Sequence, residues 1–200
     1  MDLFGNDPTA NLLPGDGVVN YHGPILNLVE SRRYCETLLR TVPWKNDEAI
    51  IYGKHVITAR KVAWYGDSNY TYTYSGTTKT AVVWTKELSE LKTLVEERTG
   101  ASYNSCLLNL YSSGEEGMGW HSDDEKSLGR NTTIASVSFG AERKFAFRHK
   151  RTEQTLSLVL EDGSLLVMKG STQTHWQHCV PKTKKIEMPR INLTFRTMVL

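Results

Sequence analysis

The hydrophobic period of the chain changes near residue 100. Before that point the apolar positions suit two helices. Pro24 fits the first turn of one, with Ile25, Leu28, Val29, Cys35 and Leu39 near helical spacing. Trp84, Leu88, Leu91 and Val95 give the other an i, i+4, i+7, i+11 stripe, with Glu and Lys on the opposite face and Gly100 as a stop. A short strand over Val18–Tyr21 precedes both, and residues 1–17, rich in Asn, Asp, Gly and Pro, read as a loose lead-in. After Gly100 the period becomes two. Strands are predicted over Ser105–Tyr111, Met118–Ser122, Thr132–Phe139, Arg143–Arg148, Thr155–Leu160, Ser164–Met168, His175–Val180 and Arg190–Val199. Short strands so closely spaced, with no long helix between them, predict a mostly β (α+β) domain over 18–200. Its expected core is a double-stranded β-helix, or jelly-roll, with two supporting N-terminal helices.

Residues 49–76 break the pattern. Tyr52, His55, Trp64, Tyr65, Tyr70, Tyr72 and Tyr74 are interleaved there with Lys54, Arg60 and Lys61. Tyr70, Tyr72 and Tyr74 alternate with Thr, so a strand puts all three rings on one face. Stacked rings beside cations suit a nucleobase, because every base has a π-face. The plainer reading is that the rings pack against the helices, and it is preferred for Trp64, Tyr65 and Trp84.

Composition narrows the classes. With 200 residues, 39% of them apolar, the chain can bury a core without metal or disulfide staples. A net charge of +2 leaves room only for local basic patches, such as Arg148–Arg151 and Lys182–Lys185. No apolar run approaches a membrane span, and the acidic, proline-broken N-terminus is no signal peptide. Three widely spaced cysteines fit reduced thiols in an intracellular compartment, cytoplasmic in a bacterium or nuclear in a eukaryote.

The sharpest chemical feature is His121-Ser122-Asp123 with the later His178. On a strand, residues i and i+2 share a face, so His121 and Asp123 converge on one point and His178 arrives from a distant strand. Two imidazoles and a carboxylate are the ligands of the facial triad, which leaves open positions on Fe(II). A lone His-x-Asp pair is weak, since a strand histidine followed by a turn aspartate looks the same. His175 competes as third ligand, but it and His178 lie on opposite faces of a regular strand. The last predicted strand adds weight. Ile191, Leu193 and Phe195 make its apolar face, and Arg190, Asn192, Thr194 and Arg196 the polar one, a row suited to a dicarboxylate. Asn109 and Tyr111 supply two more hydrogen-bonding groups on one face of an earlier strand.

The strings HSDDE, THWQH and PRINLTFR, with NLYSSGEEGMGWHSDDE, IASVSFGAERKFAFRHK and GSLLVMKG, closely resemble the AlkB-type nucleic-acid dealkylation dioxygenases. The likeness is nearest to the animal DNA-repair subgroup and its bacterial counterparts, and runs from about Ile51 onward. It implies Fe(II) on His121, Asp123 and His178, with 2-oxoglutarate held by Asn109, Tyr111, Arg190, Asn192, Thr194 and Arg196. It implies O2 as the other cosubstrate, a monomer, and alkylated DNA, duplex or single-stranded, or RNA as partner. Residues 49–76 become a nucleotide-recognition lid in which Tyr72, Thr73 and Tyr74 meet the damaged base. Tyr52-Gly53-Lys54 becomes a hairpin tip whose aromatic ring wedges into the duplex, Tyr standing where Phe is expected. Asp124 faces the base edge, and Arg60, Arg148, Lys150 and Lys184 are candidate backbone contacts. The implied activity is oxidative removal of N-alkyl groups from 1-methyladenine and 3-methylcytosine, releasing formaldehyde, succinate and CO2. Two rival readings are an oxygenase acting on protein or small molecules, and a catalytically silent nucleic-acid-binding module on the same fold.

Overall fold

The computed structural model describes residues 7–51, 54–68, 70–74 and 77–199, and the side chains of 49–51, 54, 71–74 and 77–79 lie outside that description. In chain order the elements are β1 (Val18–Pro24), α1 (Leu28–Thr41), β2 (Lys45–Ile51), β3 (Lys54–Gly66), β4 (Thr71–Tyr74), β5 (Thr77–Thr80), β6 (Val82–Val83) and α2 (Lys86–Thr99). There follow β7 (Ser105–Tyr111), β8 (Met118–His121), β9 (Ile134–Gly140), β10 (Arg143–His149), β11 (Thr155–Leu160), β12 (Ser164–Lys169), α3 (Thr172–His175), β13 (Trp176–Val180) and β14 (Arg190–Arg196).

Two sheets face each other, as the double-sheet expectation requires. The larger runs β1-β12-β9-β14-β7-β3-β2, with β6 alongside β3, and the smaller runs β11-β10-β13-β8. β4 and β5 form a separate hairpin. Alternation along the strands of the larger sheet builds two cores. Leu108, Leu110, Val137, Phe139, Ile191, Leu193 and Phe195 pack beneath α1 and α2. Ile134, Leu166 and Met168 face the smaller sheet, where they meet Phe145, Phe147, Trp176 and Val180. Among the described residues no helix is long and apolar enough to cross a membrane.

The second helix forms as the stripe predicts: Leu88, Leu91 and Val95 are fully buried, Thr85 caps the start, and Gly100 ends it at φ 66°. The first begins later than expected. Pro24 closes β1, and Asn27 caps α1 by accepting from the N–H groups of Val29 and Glu30, while the Glu30 carboxylate accepts from Asn27 N–H. That phase leaves Leu28 and Val29 78% and 79% exposed and buries Ser31, Tyr34 and Leu38 instead. A capping box three residues downstream thus outranks an apolar count that treats every hydrophobic position alike.

Two further expectations change. Residues 7–17 are not loose: Leu13 is 4% exposed in the second core, and the Asn11 side chain bonds Gly17 O and the N–H groups of Leu13 and Val19. The region 49–76 is not all lid either. β3 is a thirteen-residue strand that pairs with β7 over Lys61–Gly66, so the hairpin it shares with β2 stands on the main sheet.

Candidate metal and cosubstrate site

β8 ends at His121, and the β13 register sets His178 directly opposite, with the two rings 4.3 Å apart and nearly edge-on. Asp123 follows beyond the strand end, a small correction to the expected strand through Ser122. Its N–H has no ladder partner and donates to Gln173 Oε1 at 2.9 Å instead. One ligand atom from each of His121, Asp123 and His178 lies within 4.8 Å of the others. His121 Nδ1 donates to Gly119 O at 2.9 Å, and its Nε2 lies 3.9 Å from Asp123 Oδ1.

Charge at this point is arranged for a cation. Burial pushes the His178 imidazolium down to about 3, and His121 adds to the effect, so the ring is neutral with a free lone pair. Burial alone would raise the Asp123 carboxyl. The Arg196 guanidinium, hydrogen-bonded to it, outweighs burial and holds the group below the usual carboxylate range. Arg196 Nη2 donates to Asp123 Oδ2 at 2.8 Å, so one oxygen is neutralised and the other faces the imidazoles. A neutral His178 imidazole and an ionised Asp123 carboxylate, with the His121 ring beside them, fit Fe(II).

The expected dicarboxylate row is assembled by register. β14 lies between β7 and β9: Arg190 opposes Tyr111 and Gly140, and Asn192 opposes Asn109 and Ser138. Arg190 is 1% exposed; its Nη2 donates to Ser138 Oγ at 2.9 Å, and its Nε and Nη1 find no acceptor among the described residues. Its guanidinium carbon lies 5.5 Å from the centre of the Tyr111 ring. Burial draws this guanidinium down to about 10, partly offset by Tyr111 and deepened by Arg143. Asn192 donates to Ser136 Oγ and accepts from Thr194 Oγ1. Two buried cationic donors without an acceptor fit one end of a dicarboxylate, because leaving them unmet is costly. The ends of the slot are Arg190 and the Asp123-linked Arg196.

The other expected residues are distributed unevenly. Tyr52 and Gly53 lie outside the described residues. Tyr72, Thr73 and Tyr74 are on β4, paired with β5, and Lys54 opens β3. Asp124 is exposed, 3.6 Å from Lys150 Nζ. Arg148 covers the Trp120 ring at 4.7 Å and bonds Gln177, while Lys150 and Lys184 reach solvent. Arg60 is the exception among the four cations: it is buried in the site, bonded to Asp47 and Asn109, rather than displayed on the surface. Its place on β3, next to β7 on the sheet, turns it inward.

Tyr65 and Trp84 pack under the helices as expected, but Trp64 lines the cleft with Val62 and Leu107. Consecutive strand residues point to opposite faces, so Tyr65 and Trp64 could not both have packed there. Ser136, Ser138 and Gln173 were invisible to motif reading. His175 ends α3 and joins a second cluster, with Asp16 and His149. His149 Nδ1 accepts from the N–H groups of Arg151 and Thr152, which puts the ring proton on Nε2, 3.1 Å from Asp16 Oδ2. A metal there would have to displace that proton, so this cluster reads as a hydrogen-bonded latch.

A jelly-roll carrying a two-histidine, one-carboxylate group beside a buried arginine row defines an iron- and 2-oxoacid-using class of protein. The chain belongs to the 2OG-Fe(II) oxygenase superfamily, whose profile matches residues 17–196, and the cofactors of that family are Fe(II), 2-oxoglutarate and O2. Among relatives, it is 43% identical over 182 residues to "Alpha-ketoglutarate-dependent dioxygenase alkB homolog 3" of Bos taurus, covering 86% of this chain and 63% of that one. It is 44% identical over 157 residues to "DNA oxidative demethylase ALKBH2" of Mus musculus, covering 74% and 66%. The chain thus spans about two thirds of the length of these relatives. The solved structure of OsALKBH1 shares the fold at TM-score 0.64 and 14% identity, over 92% of this chain and 98% of that one.

Proposed function

We propose that this chain is an Fe(II)- and 2-oxoglutarate-dependent dioxygenase that removes N-alkyl groups from bases of nucleic acid. DNA carrying 1-methyladenine or 3-methylcytosine is the leading substrate, and RNA the second polymer. The observation that carries the reading is the convergence of His121, Asp123 and His178 at one end of a row whose other end holds the unmet donors of Arg190. Kinship with demethylases at 43% and 44% identity supports the choice of substrate class.

In this reading His121, Asp123 and His178 hold Fe(II) on one side. Bound Fe(II) and 2-oxoglutarate supply the oxidation: O2 is consumed, the cosubstrate leaves as succinate and CO2, and the hydroxylated N-alkyl group is lost as an aldehyde. Arg190 forks onto the distal carboxylate with Tyr111 beside it, while Asn192 and Arg196 attend the carboxylate nearer the metal. Asn109 and Thr194 complete the polar lining. Arg196 also keeps Asp123 ionised, so the ligand needs no proton removed when metal arrives. Asp124 accepts from the exocyclic or ring nitrogen of the base. Tyr72 and Tyr74 stack on it, with Thr73 between them on the strand. Tyr52, Gly53 and Lys54 form the wedge that replaces a flipped base in a duplex. Arg148, Lys150 and Lys184 touch phosphates, and the protein works as a monomer inside the cell.

The deciding experiment is mass analysis of methylated single- and double-stranded DNA and RNA oligonucleotides after incubation with protein, Fe(II) and 2-oxoglutarate. Loss of a methyl mass that requires both additions is expected. Turnover of 2-oxoglutarate with no oligonucleotide demethylated would move the protein to another substrate class.

A further inference from the structure

Asp123 sits past the end of its strand, and the ladder that fixes His121 and His178 does not reach it. Three successive residues are instead tied to one turn of chain about fifty residues away. Ser122 Oγ donates to Trp176 O at 2.9 Å, and Asp123 N–H donates to Gln173 Oε1 at 2.9 Å. Asp124 pairs at 3.6 Å with Lys150 Nζ, which itself donates to Gln173 O at 2.9 Å. Gln173 is 6% exposed, and its Nε2 points to the sulfur of Met168, a weak acceptor. A buried glutamine with one strong partner, on a four-residue helix, is a costly choice unless that partner matters.

The turn is in turn held from outside by the segment before β1. Thr172 Oγ1 accepts from Val18 N–H at 2.9 Å, and Trp176 Nε1 donates to Gly15 O at 3.0 Å. Gly17 lies so close that a Cβ there would meet Thr172 Oγ1 at 2.7 Å and Thr172 Cα at 2.8 Å. Residues 15–18 therefore act as a strap across α3.

We propose that Gln173, braced by this strap, is the positioning residue of the metal-site carboxylate. By accepting the Asp123 N–H it fixes the rotation of that residue, so that Oδ1 faces the imidazoles and Oδ2 faces Arg196. The inference rests on the reading of His121, Asp123 and His178 as the metal ligands.

The test is Mn(II) binding to the metal-free 200-residue chain, followed by electron paramagnetic resonance, with Co(II) absorption as a report on ligand geometry. Gln173→Leu keeps the bulk and loses the acceptor. It should weaken Mn(II) by about 10–100-fold and alter the Co(II) spectrum, as loss of a group that orients a ligand does. Gln173→Glu keeps an accepting oxygen and should recover most of the affinity. Unchanged Mn(II) affinity in Gln173→Leu, or equal losses in the Leu and Glu variants, would overturn the positioning role. Should Gln173→Leu fail to fold, Gly17→Ala, which presses the strap against Thr172, must weaken Mn(II) in the same direction, and unchanged binding there overturns the proposal. Wild-type affinity in Asp123→Ala would overturn the ligand reading instead, which keeps the two failures apart.

Discussion

Replacing Arg190 by Met should make the cosubstrate-free protein more stable while abolishing its response to 2-oxoglutarate. Arg190 is buried with two donors, Nε and Nη1, that find no acceptor among the described residues. Each unmet buried donor costs about 1–3 kcal/mol, so removing both relieves about 2–6. Losing the charged hydrogen bond to Ser138 gives back about 1.5–3 kcal/mol. Low end against low end and high against high, the net gain is about 0.5–3 kcal/mol, and Met, unbranched and flexible, fills the space left by the stem. For a chain of this size each kcal/mol moves the thermal midpoint by about 2–4 °C. Saturating 2-oxoglutarate, at about 100 times its Kd with Mn(II) present, should stabilise the wild type by about 2.7 kcal/mol and the variant not at all. Calorimetric unfolding of both proteins, with and without the cosubstrate, tests this directly. Adding 2-oxoglutarate should shift their difference by about 2.7 kcal/mol in favour of the wild type. A Met variant that is less stable without cosubstrate and still stabilised by it would refute the reasoning. The milder Arg190→Lys keeps the charge and loses the fork, so its requirement for 2-oxoglutarate should rise about 10–100-fold, one charge-assisted bond's worth.

Three other outcomes are expected. His175→Ala should bind Mn(II) as the wild type does, whereas His178→Ala should not; the reverse pattern would exchange the two assignments. Because burial holds His178 neutral down to about 3, against an ordinary value of 6.5, the unfolded chain binds that proton first. The stability of the metal-free protein should therefore be full above about 6.5 and fall as pH drops toward 3, a slope that His178→Phe flattens in urea titrations at several pH values. Tyr52→Ala should depress repair of 1-methyladenine in duplex far more than in single-stranded DNA, since only a duplex has a stack to open; equal losses in an oligonucleotide assay would assign Tyr52 a general contact role.

Strands after Gly100 were legible because one face of each is buried, and a period of two survives in the sequence: β7 and β11 occupy the predicted residues. The convergence of His121, Asp123 and His178 and the shared face of the β14 row were legible for a related reason, since chemistry restricts residue type as firmly as burial does. β3 was hidden. Its inward face carries Arg60, Val62 and Trp64 into the cleft, so polar and aromatic residues stand where apolar ones would announce a core strand. The phase of α1 was misjudged because Leu28 and Val29 look like core positions, and only the Asn27–Glu30 box shows where the helix starts. Ser138, Gln173 and the strap carry no motif. Their roles arise from pairs more than fifty or a hundred and fifty positions apart, Ser138 with Arg190 and Val18 with Thr172, which no local pattern encodes.

The place of β14 in its sheet also governs when the protein becomes competent during synthesis. It follows the other described strands in chain order, yet it inserts at the centre, between β9 and β7. Until residues 190–196 leave the ribosome, those two neighbours border an open slot with unpaired backbone edges, the feature that invites aberrant pairing. At roughly 5–20 residues per second, the growing chain spends several seconds in that state after β7 has emerged. The same insertion delivers Arg190, Asn192, Thr194 and Arg196 together. No nascent intermediate can then hold the cosubstrate row, and closure of the sheet and assembly of that row are one event.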